Sequence, residues 1–337
     1  MSGFAFVIHP VDPKRDVARK YPHLAKVLPA RLVRFLALLW PPVYLSHVTG
    51  VRSEDTGKEI EGWLVACPLT ARQALELPTR TVYNKIIAAG RLAQRLGAQI
   101  LGLGAFMSVV GDAGVTVARH LDIPVTTGHS FTVAAAVEAL KEGARCKGVR
   151  LESSTVAVIG ATGSIGRACA EMLAPAVGGL ILVGRSESRL AQVQAQVAEA
   201  GGRLVRTSLQ VEEVGEADLV LSATSAAESV IQPGYLKRGA IVCDLALPPD
   251  VSPRVKQERS DVLVVAGGVV DVPGEVDFGF DFGLSSGKAY ACMAETMMLA
   301  LDGRYESYSL GKHIRVERVR EIARLARKHG FRLSAIC

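Results

Sequence analysis

The sequence predicts an α/β protein: an N-terminal α/β domain followed by a Rossmann-type, doubly wound parallel sheet. The chain has 337 residues, which is too long for one typical hydrophobic core. It is 49% hydrophobic, 21% charged and 5% aromatic, a composition typical of parallel sheets covered by helices. Strand-like and helix-like segments alternate in its second half, which indicates parallel β-α-β connections.

In the first half, apolar runs and helical spacing predict five elements before the sheet of the second domain. Buried strands are expected in Ile60–Leu69, Ala98–Phe106 and Ile123–Ser130. A helix is expected over Arg80–Ala98. A further helix, Phe131–Ala144, connects this part to the second domain.

In the second half, a strand at Thr155–Ile159 precedes a helix that starts near Ile165. A strand at Leu180–Gly184 then precedes a helix at Ser188–Ala200. Four further strands are expected in RLVRTS, DLVLSAT, AIVCDLA and VLVVAGG. Ser285 to Leu301 predicts one more helix, with serines as N-cap residues.

These elements suggest three segments. Residues 1–130 form the first α/β domain, 131–290 the doubly wound domain, and 291–337 the C-terminal helices, which return to the first domain.

The stretch VAVIGATGSIGRACAEML has the glycine spacing of a dinucleotide-binding loop between a strand and a helix. The first glycine permits a tight turn, the second lets the backbone approach a pyrophosphate, and the third lets helix and strand pack closely. The helix N-terminus then offers free N–H groups to the phosphates. The predicted cofactor-binding residues of the loop are Gly160, Thr162, Gly163, Ser164, Ile165 and Gly166.

The strand after this loop ends in VGRSESR, without the acidic residue that binds the ribose 2′-hydroxyl of NAD at that point. Arg185 and Ser186 offer a cation and a hydroxyl for a 2′-phosphate instead, which favours NADPH. Later strand ends add candidate residues near the nicotinamide ribose, although ordinary strand-to-loop turns would look the same. They are Ala223, Thr224, Ser225 and Gly268.

Six cysteines are scattered without CxxC or metal-ligand spacing, so no metal site is predicted. We expect reduced thiols and a cytoplasmic protein, because no signal peptide is evident. No stretch reaches the roughly 18 uncharged apolar residues of a membrane-spanning helix.

The net charge is +6 and is unevenly distributed. Lys312–Arg332 carries eight Lys or Arg against two Glu, and Lys14–Arg34 carries seven against one Asp. Both stretches are either solvated helix faces or docking surfaces for an acidic partner. No nucleic-acid-binding motif accompanies the charge.

Cys292 lies in the predicted helix Ser285–Leu301, after the last strands of the doubly wound domain. A helix N-terminus and a nearby cation both favour a thiolate, and Lys288 could supply the cation. From the residues alone, Cys292 is either a small core side chain or a nucleophile near the nicotinamide.

From Arg80 to Ala335 the chain resembles the long-chain acyl-(acyl-carrier-protein) reductases of cyanobacteria. Six blocks in one order carry the resemblance: LGLGAFMSVV, TTGHSFTVAAAVEAL, STVAVIGATGSIG, AGGVV, AYACMAETMMLALDG and RKHGFRLSAI. The first 60 residues match poorly.

The resemblance implies that Cys292 accepts a fatty acyl group from a carrier thioester and that NADPH reduces it to a fatty aldehyde. It also implies that the first domain binds the acyl chain, with Phe35–Leu45 either lining an acyl tunnel or packing that domain. Lys85 matches a family lysine that orients the substrate or supplies a proton, unless it is a surface lysine. Gly102–Gly104 and the turn at Gly128 are candidates for oxyanion donors.

The implied partners are an acidic acyl carrier protein, docked on the basic faces, and an enzyme that consumes the aldehyde. Three other readings stay open. One is a glutamyl-tRNA reductase type of enzyme with Cys67 as nucleophile, one is a shikimate dehydrogenase type that needs no cysteine, and one is a non-catalytic NADP-binding protein.

Overall fold

The computed structural model describes residues 3–10, 32, 38–104, 106–226 and 228–336. The chain divides into two compact units. The first unit comprises Met1–Gly128, Asp271–Lys312 and Arg324–Arg332. The second comprises His129–Val270, His313–Ala323 and Leu333–Cys337.

This division differs from the predicted bounds in two respects. The whole C-terminal segment was predicted to return to the first domain, whereas His313–Ala323 and Leu333–Cys337 belong to the second unit. The main segment of the second unit ends at Val270, whereas the prediction extended it to residue 290. The segment Asp271–Lys312, which contains Cys292, belongs to the first unit.

The first unit contains a five-stranded sheet in the order β2-β3-β1-β4-β5. Its strands are β1 Gly3–Ile8, β2 Val43–Arg52, β3 Glu59–Ala66, β4 Ile100–Leu103 and β5 Val125–Thr126. All neighbours pair in parallel except β2, which runs antiparallel to β3. β1 and β4 are buried almost throughout, as continuous apolar strands of a parallel sheet are.

The helices that the structure describes in full among these strands are α1 Ala71–Glu76, α2 Thr79–Arg95, α3 Phe106–Val109 and α4 Val115–Arg119. The predicted helix at Arg80–Ala98 is confirmed as α2, and its apolar side joins the core with β1, β3 and β4. Strand β1 was not predicted, because FAFVI is a short apolar run with no turn signal before it.

The second unit contains a six-stranded parallel sheet in the order β11-β10-β9-β6-β7-β8. The strands are β6 Thr155–Ile159, β7 Gly179–Val183, β8 Val205–Ser208, β9 Leu219–Ser222, β10 Ile241–Asp244 and β11 Leu263–Ala266. The helices are α5 His129–Cys146, α6 Ser164–Leu173, α7 Glu187–Glu199 and α8 Pro253–Glu258. Short 3₁₀ turns lie at Leu151–Ser153, Ala174–Ala176, Val211–Glu216 and Pro233–Tyr235.

Alternate residues of these strands point to opposite faces of the sheet, and each face has its own core. Val156, Val158 and Leu221 belong to the core that α5, α6 and α7 cover. Ala157 and Val220 belong to the core on the side of α8. The sheet is thus doubly wound, as the alternation in the sequence predicts.

The remaining elements are β12 Val269–Asp271, β13 Lys288–Tyr290, α9 Ala291–Leu301, α10 Val316–His329 and β14 Arg332–Leu333. The three strands form a small sheet in the order β13-β12-β14. α9 packs against β1, β3 and β4 of the first unit, and the amino group of Lys58 caps its C-terminus by donating to the carbonyls of Ala300 and Leu301, each at 3.0 Å. Residues of α10 up to Ala323 belong to the second unit, and those from Arg324 to the first.

The prediction of a helix over Ser285–Leu301 is wrong at its N-terminal end. Gly287 adopts a left-handed φ of +74°, and Lys288–Tyr290 is a strand, so the serines do not cap the helix. α9 begins at Ala291, with Tyr290 as its N-cap residue. Cys292 is consequently the second residue of the helix, in its first turn. Among the described residues, no helix is long and apolar enough to cross a membrane.

Candidate functional site

The glycine-rich loop follows β6 and is built on close approaches of main chain to main chain. Gly160 has a φ of +78°, and a Cβ there would lie 2.6 Å from the carbonyl oxygen of Ala223. A Cβ on Gly166 would lie 2.3 Å from the carbonyl oxygen of Gly160, and one on Gly163 3.2 Å from the same oxygen. Larger residues would therefore force the loop open, most severely at the first and third glycines.

Helix α6 begins directly after this loop, with Gly163 as its N-cap residue and no side-chain cap. Thr162, Ser164 and Ile165, predicted to bind the cofactor, are part-exposed around this terminus. Uncapped first-turn N–H groups favour an anion such as a pyrophosphate. The loop and helix thus fit a dinucleotide.

The strand order places this loop where ligands bind in doubly wound sheets. β7 and β8 extend from β6 to one side and β9, β10 and β11 to the other, so the order reverses between β6 and β9. A crevice forms at such a switch point, outside the carboxyl ends of the strands. The contact between Gly160 and Ala223 spans that point.

Arg185 and Ser186 follow β7 at the same sheet edge. Arg185 is exposed and forms no ion pair within the described part of the chain. Ser186 is the N-cap residue of α7, and its hydroxyl lies 3.3 Å from that of Ser188. The guanidinium and the hydroxyl are both available to a phosphate.

The turn after β9 is held by Asp250, which was not predicted. Its fully buried carboxylate accepts bonds from the Ser222 hydroxyl, the Thr224 hydroxyl (both 2.6 Å) and the Thr224 amide at 3.1 Å. Thr224 is thus committed to the protein through its hydroxyl, whereas Ser225 is exposed. The only sign of Asp250 in the sequence is an acid among prolines in LPPDVSP.

The last predicted cofactor residue, Gly268, lies between β11 and β12. A Cβ on Gly268 would meet only the Leu245 side chain, at 3.7 Å, so no close approach requires glycine there. The neighbouring Gly267 is more constrained, because its Cβ would lie 2.2 Å from the sulfur of Cys243.

Cys292 is half-buried at the N-terminus of α9, where the side chain of the N-cap residue, Tyr290, makes no capping hydrogen bond. The turn after β5 packs directly on it. Gly128 has a φ of +72°, and a Cβ there would lie 2.2 Å from the Cα of Cys292 and 2.4 Å from its Cβ. Cys292 and Gly128 are therefore in backbone contact, and only glycine fits.

The other free cysteines of the described chain are fully buried. Burial raises the pKa of Cys67 and of Cys243 to about 12, and raises the pKa of Cys169 well above its usual value. Cys146 is disulfide-bonded, so the expectation of six reduced thiols is wrong for it. Of the described free thiols, Cys292 is the accessible one.

The predicted cation beside Cys292 is neutralised. Lys288 lies on β13, and its amino group pairs with Asp271 at 2.8 Å. Lys85, on α2, donates to the carbonyl of Trp40 at 2.8 Å. Burial lowers the pKa of Lys85, and the nearby Cys67 opposes that shift. The catalytic role of Lys85 stays a prediction.

The predicted oxyanion donors are engaged within the first unit. The amide of Gly104 donates to the carbonyl of Val7 at 3.2 Å, and Gly102 is paired inside β4. The amide of Gly128 donates to the hydroxyl of Thr126 at 3.3 Å. The first turn of α9 itself supplies backbone N–H groups at the end of the helix where Cys292 lies.

A buried polar network beside Cys292 was also not predicted. Glu295, one turn along α9, is fully buried and accepts a bond from the hydroxyl of Thr126. The hydroxyl of Thr296 donates to the carbonyl of Cys292 at 3.4 Å, and Gly102 leaves room for it. A single acid within the apolar run ACMAETMMLAL is the signal that could have drawn attention to it.

Phe35–Leu45, the predicted acyl-binding stretch, is described only from Leu38 onward, and Trp40 and Tyr44 are partly exposed there. The basic stretch Lys14–Arg34 lies outside the described residues except for Leu32. The described residues contain no group of three or more His, Cys, Asp or Glu arranged to hold a metal ion.

The sequence profile of the Shikimate / quinate 5-dehydrogenase family matches residues 142–265, which lie within the second unit. Aminotransferase PigE of Serratia sp. is 33% identical over 283 residues, covering 82% of this chain and 33% of that protein. This chain thus spans about a third of the length of that relative.

The long-chain acyl-[acyl-carrier-protein] reductase of Synechococcus elongatus is 27% identical over 311 residues, covering 88% of this chain and 89% of that protein. Quinate dehydrogenase from Corynebacterium glutamicum in complex with NAD aligns over 95% of this chain and 98% of its own, at 13% identity and a TM-score of 0.41. The glycine-rich loop, the doubly wound sheet and the family match together support a domain that binds a nicotinamide cofactor.

Proposed function

We propose that the protein reduces long-chain fatty acyl thioesters to fatty aldehydes with NADPH, through an acyl group carried by Cys292. One observation carries the proposal: Cys292 is half-buried in the first turn of α9, whereas the other described free thiols are fully buried. The similarity to an acyl-carrier-protein reductase over most of both chains supports the substrate class.

The first unit supplies the thiol chemistry in this proposal. The positive end of the α9 dipole stabilises negative charge on the Cys292 sulfur. The thiolate attacks the thioester carbonyl, a new S–C bond forms, and the C–S bond to the carrier breaks, so that the carrier leaves as a thiol after taking up a proton. First-turn N–H groups of α9 stabilise the oxyanion of the tetrahedral intermediate.

The second unit would hold the cofactor. Gly160, Gly163 and Gly166 leave room for the pyrophosphate, the α6 N-terminus would bind it, and Arg185 with Ser186 would bind a 2′-phosphate. When bound, NADPH would supply a hydride to the acyl carbon, so that collapse of the hemithioacetal releases the aldehyde and restores the thiolate.

The acyl donor in the proposal is an acyl carrier protein, an acidic partner. Arg320, Arg324 and Arg327 are exposed at i, i+4 and i+7 on one side of α10, and the described residues provide no ion-pair partner for them. Three exposed guanidinium groups would attract an acidic surface over about 10 Å at ~0.1 M salt. An aldehyde-consuming enzyme would follow, since a free long-chain aldehyde is reactive.

One alternative has its own support. The family match favours oxidation of a hydroxyl group with a nicotinamide cofactor, which needs no cysteine. A glutamyl-tRNA reductase type of mechanism would use Cys67, but burial raises the pKa of that thiol to about 12 and the side chain is fully buried. A non-catalytic protein would bind NADPH without forming any acyl adduct.

The test is the intact mass of the protein after incubation with palmitoyl-acyl carrier protein or palmitoyl-CoA, without NADPH. We expect one palmitoyl adduct, mapped to the peptide that contains Cys292, in the native protein and in Cys67→Ala. Cys292→Ala should form none. Absence of an adduct in the native protein, or an unchanged adduct in Cys292→Ala, would refute the proposal.

A further inference from the structure

Glu295 is a buried carboxyl group in a helix that otherwise needs only apolar side chains. It is fully buried in α9, where its neighbours Met293, Ala294, Met297 and Met298 are buried as well. Burying a carboxyl group carries a desolvation cost that a methionine of similar size would avoid. Packing alone therefore does not account for an acid at this position.

The bonds of Glu295 lead to the turn that touches Cys292. Its Oε1 atom accepts the hydroxyl hydrogen of Thr126, the last residue of β5. The same Thr126 oxygen accepts the amide of Gly128 at 3.3 Å. Gly128 in turn lies so close to Cys292 that a Cβ would come within 2.2 Å of its Cα. All four residues belong to the first unit.

The arrangement forms a closed loop of contacts. Glu295 is three residues after Cys292, so both lie on the same side of α9. One end of the turn is bonded to Glu295, and its other end is in backbone contact with Cys292. The bond between Thr126 and Glu295 thus sets the distance between the Gly128 turn and the first turn of α9.

We infer that Glu295 is a positioning residue, which acts through Thr126 and the Gly128 turn to hold Cys292 at the geometry needed for acyl transfer. This inference rests on the proposed function. It assigns no proton transfer to Glu295 and no contact with substrate.

The test compares variants that keep or remove the bond at nearly constant shape. Glu295→Met and Thr126→Val each remove one partner of this bond, and the double variant removes both, so that neither member of the pair is left without the other. Thr126→Val also removes the hydroxyl that accepts the Gly128 amide. Glu295→Gln keeps a side-chain oxygen that can accept the bond, and Thr126→Ser keeps the hydroxyl that donates it. Thr116→Val is the matched control, because it removes another threonine hydroxyl bonded to a carboxylate, that of Asp112, at 2.6 Å in the same unit.

The rate of Cys292 palmitoylation is measured at a series of palmitoyl-CoA concentrations, by quenching the reaction and determining the intact mass of the protein. The affinity for NADPH and the thermal melting temperature of each variant check that it is folded. Displacements near 1 Å slow reactions by about 100-fold, so we expect Glu295→Met, Thr126→Val and the double variant each to lose roughly 10- to 100-fold in the saturating rate. The half-saturating concentration should change little, and Glu295→Gln and Thr126→Ser should recover most of the rate.

Three outcomes overturn the inference, and they are distinguishable. If the native protein palmitoylates Cys292 and Glu295→Met, Thr126→Val and the double variant all do so at the native rate, Glu295 is a structural residue only and the proposed function stands. If the native protein forms no adduct on Cys292, the proposed function fails and the positioning role fails with it. A loss in Thr116→Val equal to that in Thr126→Val would also contradict the inference.

Discussion

The contact between Gly128 and Cys292 predicts how much the methyl group added by Gly128→Ala slows the palmitoylation of Cys292. In Gly128→Ala the new Cβ would lie 2.2 Å from the Cα of Cys292 and 2.6 Å from its carbonyl oxygen. Ordinary contacts begin at 3.4 Å, so turn and helix must separate by about 1.2 Å. Because a displacement near 1 Å at a reacting group costs about 100-fold in rate, we expect palmitoylation of Cys292 to slow by that order.

The alanine also adds backbone strain, which has to be separated from the steric effect. The φ of Gly128 is +72°, a left-handed conformation that costs roughly 1–2 kcal/mol for a residue with a Cβ. Gly303, just beyond α9 in the same unit, has a φ of +71° and no atom within 4 Å of its hypothetical Cβ. Gly303→Ala therefore reproduces the strain without the collision.

The assay is the rate of palmitoyl adduct formation at saturating palmitoyl-CoA, by quench and intact mass, with urea unfolding of each variant. We expect Gly303→Ala to lose about 1 kcal/mol of stability and to keep the native rate. Gly128→Ala should lose both stability and rate. A native rate in Gly128→Ala, or equal losses of rate in both variants, would refute the reasoning.

Three further predictions follow from the cofactor loop, the basic helix and a buried histidine. Arg185→Ala should weaken the binding of NADPH by about 10- to 100-fold and that of NADH far less, because one charged hydrogen bond is worth ~1.5–3 kcal/mol. Fluorescence titration with each nucleotide checks this, and equal losses of affinity for both would contradict NADPH specificity. Replacing Arg320, Arg324 and Arg327 by Glu should raise KM for acyl carrier protein substrates but not for acyl-CoA in steady-state assays, and an unchanged KM for both would contradict docking on α10. Burial lowers the pKa of His129 from 6.5 to about 4 in the folded protein. As the pH drops from 6.5 towards 4, the unfolded chain therefore takes up a proton at His129 before the folded protein does, and the free energy of unfolding falls. At ~1.36 kcal/mol per pKa unit this loss is about 3 kcal/mol, and urea unfolding of His129→Asn should show a smaller dependence on pH over that range.

The second unit is the part of the fold that sequence reasoning predicts best. Strand β6 occupies Thr155–Ile159 as expected, and α6 begins at Ser164, one residue before the predicted start. The reason is local: a β-branched strand, a glycine turn and a helix are encoded within some twenty consecutive residues. The cofactor edge of the sheet then follows from the parallel topology.

The first unit is less predictable, because its strands carry weaker local signals. β2, Val43–Arg52, is an antiparallel neighbour of β3 with exposed and buried residues mixed along it, and β1 is a short apolar run. Neither has the repeated strand–helix context that identifies the second unit.

The site around Cys292 depends on contacts between residues far apart in the chain. Gly128 touches Cys292, and Thr126 bonds Glu295 across a separation of 169 residues. The serines Ser285 and Ser286 indicated a helix start by their type alone, and the left-handed Gly287 overrode them. The sequence offered Cys292 as a candidate nucleophile, which stays a prediction, whereas its place in the first turn of α9 and its buried neighbours required the structure.

The most direct measurement of the central claim is a chase of the isolated acyl-enzyme. The protein is palmitoylated without NADPH, freed of excess thioester, and then mixed with NADPH. We expect one palmitaldehyde for each adduct lost from Cys292, with one NADPH oxidised. An adduct that persists, or that leaves as palmitic acid without oxidation of NADPH, would contradict Cys292 as the carrier of the group that is reduced.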